Sequence, residues 1–209
     1  MDELTLLRQG PVVPVIQISD PALAVDLAHA LADGGIRVLE VTLRTKAALA
    51  AIRLIRDQVP GVIIGAGTLR NRAHVEAAVD AGAMFGISPG FTPELLAAVR
   101  ALELPFIPGI ATPSEAMHAH DEGFFIQKLF PADAIGGIQL LKALASPLPE
   151  LRFCPTGGIH AGNAASYLAL PNVLAVGGSW LTPEEAIAAQ DWPRITALAN
   201  EARMLAPLS

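Results

Sequence analysis

Short apolar runs of strand length alternate along the chain with longer segments in which apolar residues recur at helical spacing. Residues 2–9 predict a short amphipathic helix closed by Gly10-Pro11, and residues 12–18 predict the first strand. Asp20-Pro21 then opens a helix over residues 22–32, with Asp20 as N-cap and Pro21 in the first helical position, where its missing N–H is not needed. Gly34-Gly35 ends it. The alternation continues with strands at 38–44, 62–68, 84–89, 105–110, 124–131, 152–156 and 173–176. Helices fall between them at 47–58, 71–81, 93–102, 113–122, 134–145 and 163–170, and residues 183–204 supply terminal helices. Eight such strand–helix units predict one α/β domain over residues 1–209, a (β/α)8 TIM barrel with a short N-terminal capping helix. An open doubly wound sheet fits less well, because Arg70 stands where the Gly65-Ala66-Gly67 turn would need the third glycine of a dinucleotide loop.

One strand breaks the apolar rule. In FFIQKLFP, residues 124–131, Lys128 alternates with Ile126 and Phe130 and shares their face. Of the three lysines, Lys46 and Lys142 lie in mixed-polarity helical segments where an ammonium stays in water. If its face is interior, Lys128 is a buried amine, and burial favours the neutral form that can attack a carbonyl and form a Schiff base. The plainer alternative is a strand-end lysine whose stem covers apolar surface while its head reaches solvent.

In a barrel the active site lies at the C-terminal ends of the strands, so polar residues late in strands carry functional weight. Glu40, Thr42 and Arg44 share one face of the second strand, with Arg44 at its mouth. Glu40 is either the acid/base that Schiff-base chemistry requires or half of a structural ion pair with Arg44 or Lys128. The planar fork of Arg44 suits a substrate carboxylate. Thr68 ends a run of small residues where a ligand can approach the backbone. Gly157-Gly158 follows the seventh strand and Gly177-Gly178-Ser179 follows the eighth, the two loops from which barrels build phosphate sites. Cys154 reads as a buried structural thiol. His118 and His120 are two apart on a helix and point to different sides, so no shared metal is expected.

Composition narrows the partners. A 52% hydrophobic, 16% charged chain describes a well-buried α/β protein. A net charge of -6 without a basic run argues against nucleic acid or an anionic membrane as partner. Gly, Pro and charges interrupt every apolar stretch before spanning length, which argues against membrane insertion. The acidic start Met1-Asp2-Glu3 lacks a signal-peptide pattern and the single Cys154 excludes an intramolecular disulfide, so a cytoplasmic location is expected.

The motifs together resemble those of the 2-keto-3-deoxy-6-phosphogluconate aldolases, a family that includes 4-hydroxy-2-oxoglutarate aldolase activity. The resemblance runs through GPVVPVI at 10–16, VLEVTLR at 38–44, GAGT at 65–68, ISPG at 87–90, IPGI at 107–110, Lys128 with FPA at 130–132, RFCPTGG at 152–158 and GGSW at 177–180. It implies that Lys128 is the Schiff-base lysine and Glu40 the general acid/base. It implies that Arg44 and Thr68 hold the pyruvate carboxylate with Thr156 nearby, that Pro89 and Phe130 line the pocket, and that Gly157, Gly158 and Ser179, beside Gly178, receive the phosphate. It also implies a homotrimer, no cofactor, and reversible cleavage of 2-keto-3-deoxy-6-phosphogluconate to pyruvate and glyceraldehyde 3-phosphate, as in the Entner-Doudoroff pathway. Two positions depart from the family pattern: Leu129 stands where an aromatic is usual, and Asp133 where a glutamate is common. The alternatives are the same lysine chemistry on 4-hydroxy-2-oxoglutarate or 2-keto-3-deoxy-6-phosphogalactonate, and a non-catalytic barrel that binds a phosphorylated metabolite.

Overall fold

A computed structural model describes residues 2–205. Its strands are β1 (Val12–Ile16), β2 (Val38–Thr42), β3 (Ile63–Gly67), β4 (Gly86–Ile87), β5 (Phe106–Ile107), β6 (Gly109–Ile110), β7 (Ile126–Leu129), β8 (Arg152–Phe153) and β9 (Val176–Gly178). The helices are α1 (Glu3–Leu7), α2 (Ala24–Asp33), α3 (Ala48–Gln58), α4 (Arg72–Asp80), α5 (Pro93–Ala101), α6 (Pro113–Asp121), α7 (Gly137–Ala145), α8 (Ala164–Leu168), α9 (Glu184–Ala188) and α10 (Trp192–Arg203).

All the strand pairings are parallel. Six strands form a sheet in the order β5-β4-β3-β2-β1-β9, and three form a second in the order β6-β7-β8. Parallel bridges Phe153↔Val173 and Thr156↔Gly177 join the sheets on one side. On the other side the chain itself runs from β5 through Pro108 into β6. The expected (β/α)8-type barrel is the result, with one difference in its fifth strand. Pro108 has no N–H to give to the ladder, so the run predicted over 105–110 divides in two, while the Pro108 carbonyl still accepts from Lys128 N at 2.8 Å.

Alternation along the strands divides the core into two layers. Val13, Val38, Phe85, Ile87, Ile107, Cys154 and Ala175 fill the barrel interior, and Leu6 and Leu7 of α1 pack into the same cluster. Val12, Ile16, Leu39, Val41, Ile64, Phe106, Leu129, Phe153 and Val176 belong to the cluster that includes the buried faces of the surrounding helices. The cap expected of Asp20 falls one turn early: it accepts from Ala22 N at 2.9 Å at the head of a 3-10 turn, Pro21–Leu23, and α2 itself starts at Ala24 without a side-chain cap, whereas Asn71 caps α4 by accepting from His74 N at 2.9 Å.

Several strand ends differ from the sequence reading. β2 stops at Thr42 rather than Arg44: Leu43 N still donates to Gly67 O at 2.9 Å, but the chain then turns toward α3 and Arg44 becomes exposed. The last strand is Val176–Gly178, with Val173 forming only an isolated bridge. Its register with β1, Val12↔Val176 through Pro14↔Gly178, carries the ladder into the glycines.

Candidate active site

Lys128 and Glu40 meet inside the barrel. Glu40 shares the inward face of β2 with Val38, and Lys128 shares that of β7 with Ile126. Nζ of Lys128 lies 3.5 Å from Oε1 of Glu40, with the residues 4% and 1% exposed. Of the two cations that could lie beside Glu40, it is Lys128 that does, while Arg44 is exposed at the end of its strand. Apart from this approach of Nζ, Glu40 Oε1 is buried without a hydrogen-bond partner among the described residues. The Phe130 ring centroid is 5.2 Å from Nζ, close enough for a cation–π contact when the amine is charged.

The remaining predicted residues lie at the C-terminal ends of the strands. Thr68, directly after β3, has φ 63°, a left-handed conformation that a β-branched residue rarely adopts and that costs of order 1–3 kcal/mol. Pro89 follows β4 and is half-buried. Thr156 is buried, donates to Cys154 O at 3.4 Å and bridges to Gly177. The Gly157–Gly158 loop folds back on the segment after β7: Ala132 N donates to Thr156 O at 2.8 Å and Asp133 N to Gly157 O at 3.0 Å. Gly158 has φ 76°, and a Cβ there would strike the Asp133 side chain, so Asp133, one of the two departures from the family pattern, abuts this loop. Gly178 closes β9, and exposed Ser179 lines a cavity of about 460 Å³ with Arg44 and the end of β1. Another cavity, of about 480 Å³, lies at the opposite end of the barrel beside α1 and touches none of the candidate site residues.

Cys154 is part of the neighbourhood of the lysine. Gln127 pairs with Phe153, which brings Lys128 and Cys154 side by side on adjacent strands with both side chains inward. Burial pushes the thiol up to about 12, Lys128 pulls it down and Glu40 raises it. The thiol is therefore neutral and inert at physiological pH, as the sequence reading held. His118 stacks edge-on against Phe91 and His120 against Phe125, so the two rings do face different surroundings. Among the described residues, no group of three or more His, Cys, Asp or Glu is placed to hold a metal ion.

Ser88 also belongs to the strand ends. It is fully buried next to Pro89, and its hydroxyl accepts from Gly109 N at 3.3 Å, tying the end of β4 to β6. No pattern in the sequence marks it, because its partner is set by strand packing.

The family model for aldolases described as KDPG and KHG aldolase matches residues 4–198. The chain is 54% identical over 197 residues to a 2-dehydro-3-deoxy-phosphogluconate aldolase of Pseudoalteromonas atlantica, covering 94% of this chain and 92% of the relative. It is 52% identical over 198 residues to the KHG/KDPG aldolase of Escherichia coli K12, covering 95% and 93%. Among solved structures, a KDPG aldolase from Legionella pneumophila, with pyruvate captured at low pH as a covalent carbinolamine intermediate, superposes with a TM-score of 0.95 at 47% identity, covering 97% of this chain and 98% of that one. A buried lysine beside a carboxylate in a parallel barrel thus stands within a chain that, over nearly its whole length, belongs to the KDPG and KHG aldolase family.

Proposed function

We propose that the protein is a class I aldolase that reversibly cleaves 2-keto-3-deoxy-6-phosphogluconate to pyruvate and D-glyceraldehyde 3-phosphate, with Lys128 as the Schiff-base lysine and Glu40 as its proton-transfer partner. The observation that carries this reading is the 3.5 Å approach of Lys128 Nζ to Glu40 Oε1 in the barrel interior.

The neutral Lys128 amine adds to the C2 carbonyl of the substrate. The carbinolamine hydroxyl takes up a proton and leaves as water, giving the iminium. Loss of the C4 hydroxyl proton turns C4 into the aldehyde carbon, and the electrons of the C3–C4 bond move toward the iminium nitrogen to form an enamine. Glyceraldehyde 3-phosphate departs. The enamine then gains a proton at C3, and hydrolysis of the resulting iminium frees pyruvate and the amine. Each step moves a proton at or next to the reacting carbons, and Glu40, already within reach of Nζ, supplies the group for these transfers.

Arg44 and Thr68 hold the substrate carboxylate in this reading, Pro89, Phe130 and Thr156 line the pocket, and Gly157, Gly158, Gly178 and Ser179 take the phosphate through backbone N–H groups and a hydroxyl. Support comes from their positions at or just after the C-terminal ends of the strands, from the cavity that Arg44 and Ser179 line together and from the strained Thr68 backbone. A second substrate, 4-hydroxy-2-oxoglutarate, is favoured by the name of the Escherichia coli relative, which covers both activities. The same Arg44 and Lys128 would serve it, with the phosphate loop idle. The chain works as a homotrimer in this proposal, which sedimentation analysis tests, and in the cytoplasm; no helix of the described residues is long and apolar enough to cross a membrane.

The deciding experiment is intact mass and peptide mapping after incubation with pyruvate and borohydride, which reduces an imine to a stable adduct. An adduct on Lys128 that is absent from Lys128→Ala is the expected result. An unlabelled protein, or equal labelling of the alanine variant, removes the Schiff-base assignment.

A further inference from the structure

The order β2-β1-β9 places the end of β1 between the strand that leads to Arg44 and the strand that leads to Ser179. Register makes the position definite. Val15 pairs with Glu40 on one side, and on the other Pro14 pairs with Gly178, next to Ser179. Val13 and Val15 point inward, and two residues on, at the same parity, comes Gln17. It is exposed and lines the cavity of about 460 Å³ together with Arg44 and Ser179. A strand that is otherwise hydrophobic and buried thus ends with an amide at the barrel mouth.

Three polar side chains near the end of β1 are engaged elsewhere. The Asp20 carboxylate accepts from Ala22 N at 2.9 Å, Thr45 donates to Ile18 O at 2.5 Å, and Thr182 donates to Ser179 O at 3.4 Å. No hydrogen bond among the described residues uses the Gln17 amide. An amide offers both donors and an acceptor, the pairing that an alcohol requires. In the substrate, hydroxyls occupy the carbons between the carboxylate end and the phosphate end.

We infer that Gln17 is a specificity-determining residue that hydrogen-bonds the hydroxyl next to the phosphate-bearing carbon of the substrate, and so favours a hydroxylated phosphorylated chain over one that lacks this group. The inference rests on the substrate reading proposed above. Arg44 and Ser179 set the two ends of the ligand, and Gln17 stands between them at the end of β1, the strand between β2 and β9 in the sheet order.

The test uses carbon–carbon bond formation from pyruvate with two aldehydes: D-glyceraldehyde 3-phosphate, and 3-oxopropyl phosphate, which lacks only the hydroxyl. The missing hydroxyl also alters the intrinsic reactivity of the aldehyde, but this cancels when the kcat/KM ratio of the two is compared between wild type and variant. In Gln17→Leu and Gln17→Ala the ratio is expected to fall by on the order of tenfold, the size of one net hydrogen bond. An unchanged ratio in both variants, with circular dichroism showing both folded, overturns the inference. Failure of the underlying reading shows separately, as wild-type protein that gives no Lys128 adduct with pyruvate and borohydride.

Discussion

Gly67 leaves open the space that the Glu40 carboxylate fills: a Cβ on Gly67 would collide with Oε1 of Glu40. The two residues are diagonal neighbours across the β2–β3 ladder, where Thr42 pairs with Gly67 and Glu40 with Gly65. The glycine thereby sets where the carboxylate stands relative to Lys128.

Gly67→Ala is expected to push Glu40 off its position and lower kcat by roughly a hundredfold, the cost of about 1 Å of misplacement at a reacting group. Overpacking adds about 1–3 kcal/mol of destabilisation. Steady-state kinetics with urea denaturation checks both, and near-wild-type kcat would show that the carboxylate position is not critical.

Lys128 and Glu40 are buried together, so removing either charge strands the other. Lys128→Met should form no adduct and should lose about 3–5 kcal/mol of stability. Lys128→Met with Glu40→Gln should regain part of that loss, because no uncompensated charge is left inside. A double variant no more stable than Lys128→Met alone would count against the pair as an energetic unit.

Thr68 pays for its left-handed backbone, at φ 63°, in stability. Thr68→Gly should therefore be about 1 kcal/mol more stable than Thr68→Ala, since only glycine adopts this region without a Cβ penalty. Both should raise the KM for pyruvate in the condensation direction. Thermal unfolding and pyruvate saturation curves measure the two effects, and equal stability of Gly and Ala would argue against strain at this position.

Cys154 gives a pH dependence whose sign is fixed. Its folded value, about 12, is above the ordinary thiol value of 9.0, so the unfolded chain releases the proton first as pH rises. The contribution is full below about pH 9 and is lost as pH climbs toward about 12, at roughly 1.4 kcal/mol per pH unit within that window. Urea denaturation between pH 8 and 11 should show a steeper decline for wild type than for Cys154→Ala. Parallel declines would mean that the thiol ionises equally in both states.

The alternation of strands and helices, the face that Lys128 shares with Ile126 and Phe130 and the loops that follow the seventh and eighth strands were legible in the chain, because each depends on spacing among nearby residues. Asp20 announced the turn that leads into α2 for the same reason: a cap bonds within its own first turn. The boundary of β2 was not legible, since Val38 to Arg44 alternates evenly whereas pairing with β3 ends near Gly67. Nor was the break at Pro108, flanked by apolar residues that fit one continuous strand.

The sequence by itself determined the barrel's repeating unit, the face that Lys128 shares with Ile126 and Phe130 and that Glu40 shares with Thr42 and Arg44, and the set of residues at the strand ends, but not that the Lys128 face is interior. Tertiary structure alone decided which of them meet. Glu40 reaches Lys128 rather than Arg44, Cys154 stands beside the lysine, and Gln17 comes to rest between Arg44 and Ser179. Periodicity fixes the face on which a side chain lies, but its neighbours across a barrel depend on register and closure between strands far apart in sequence, which no local pattern records.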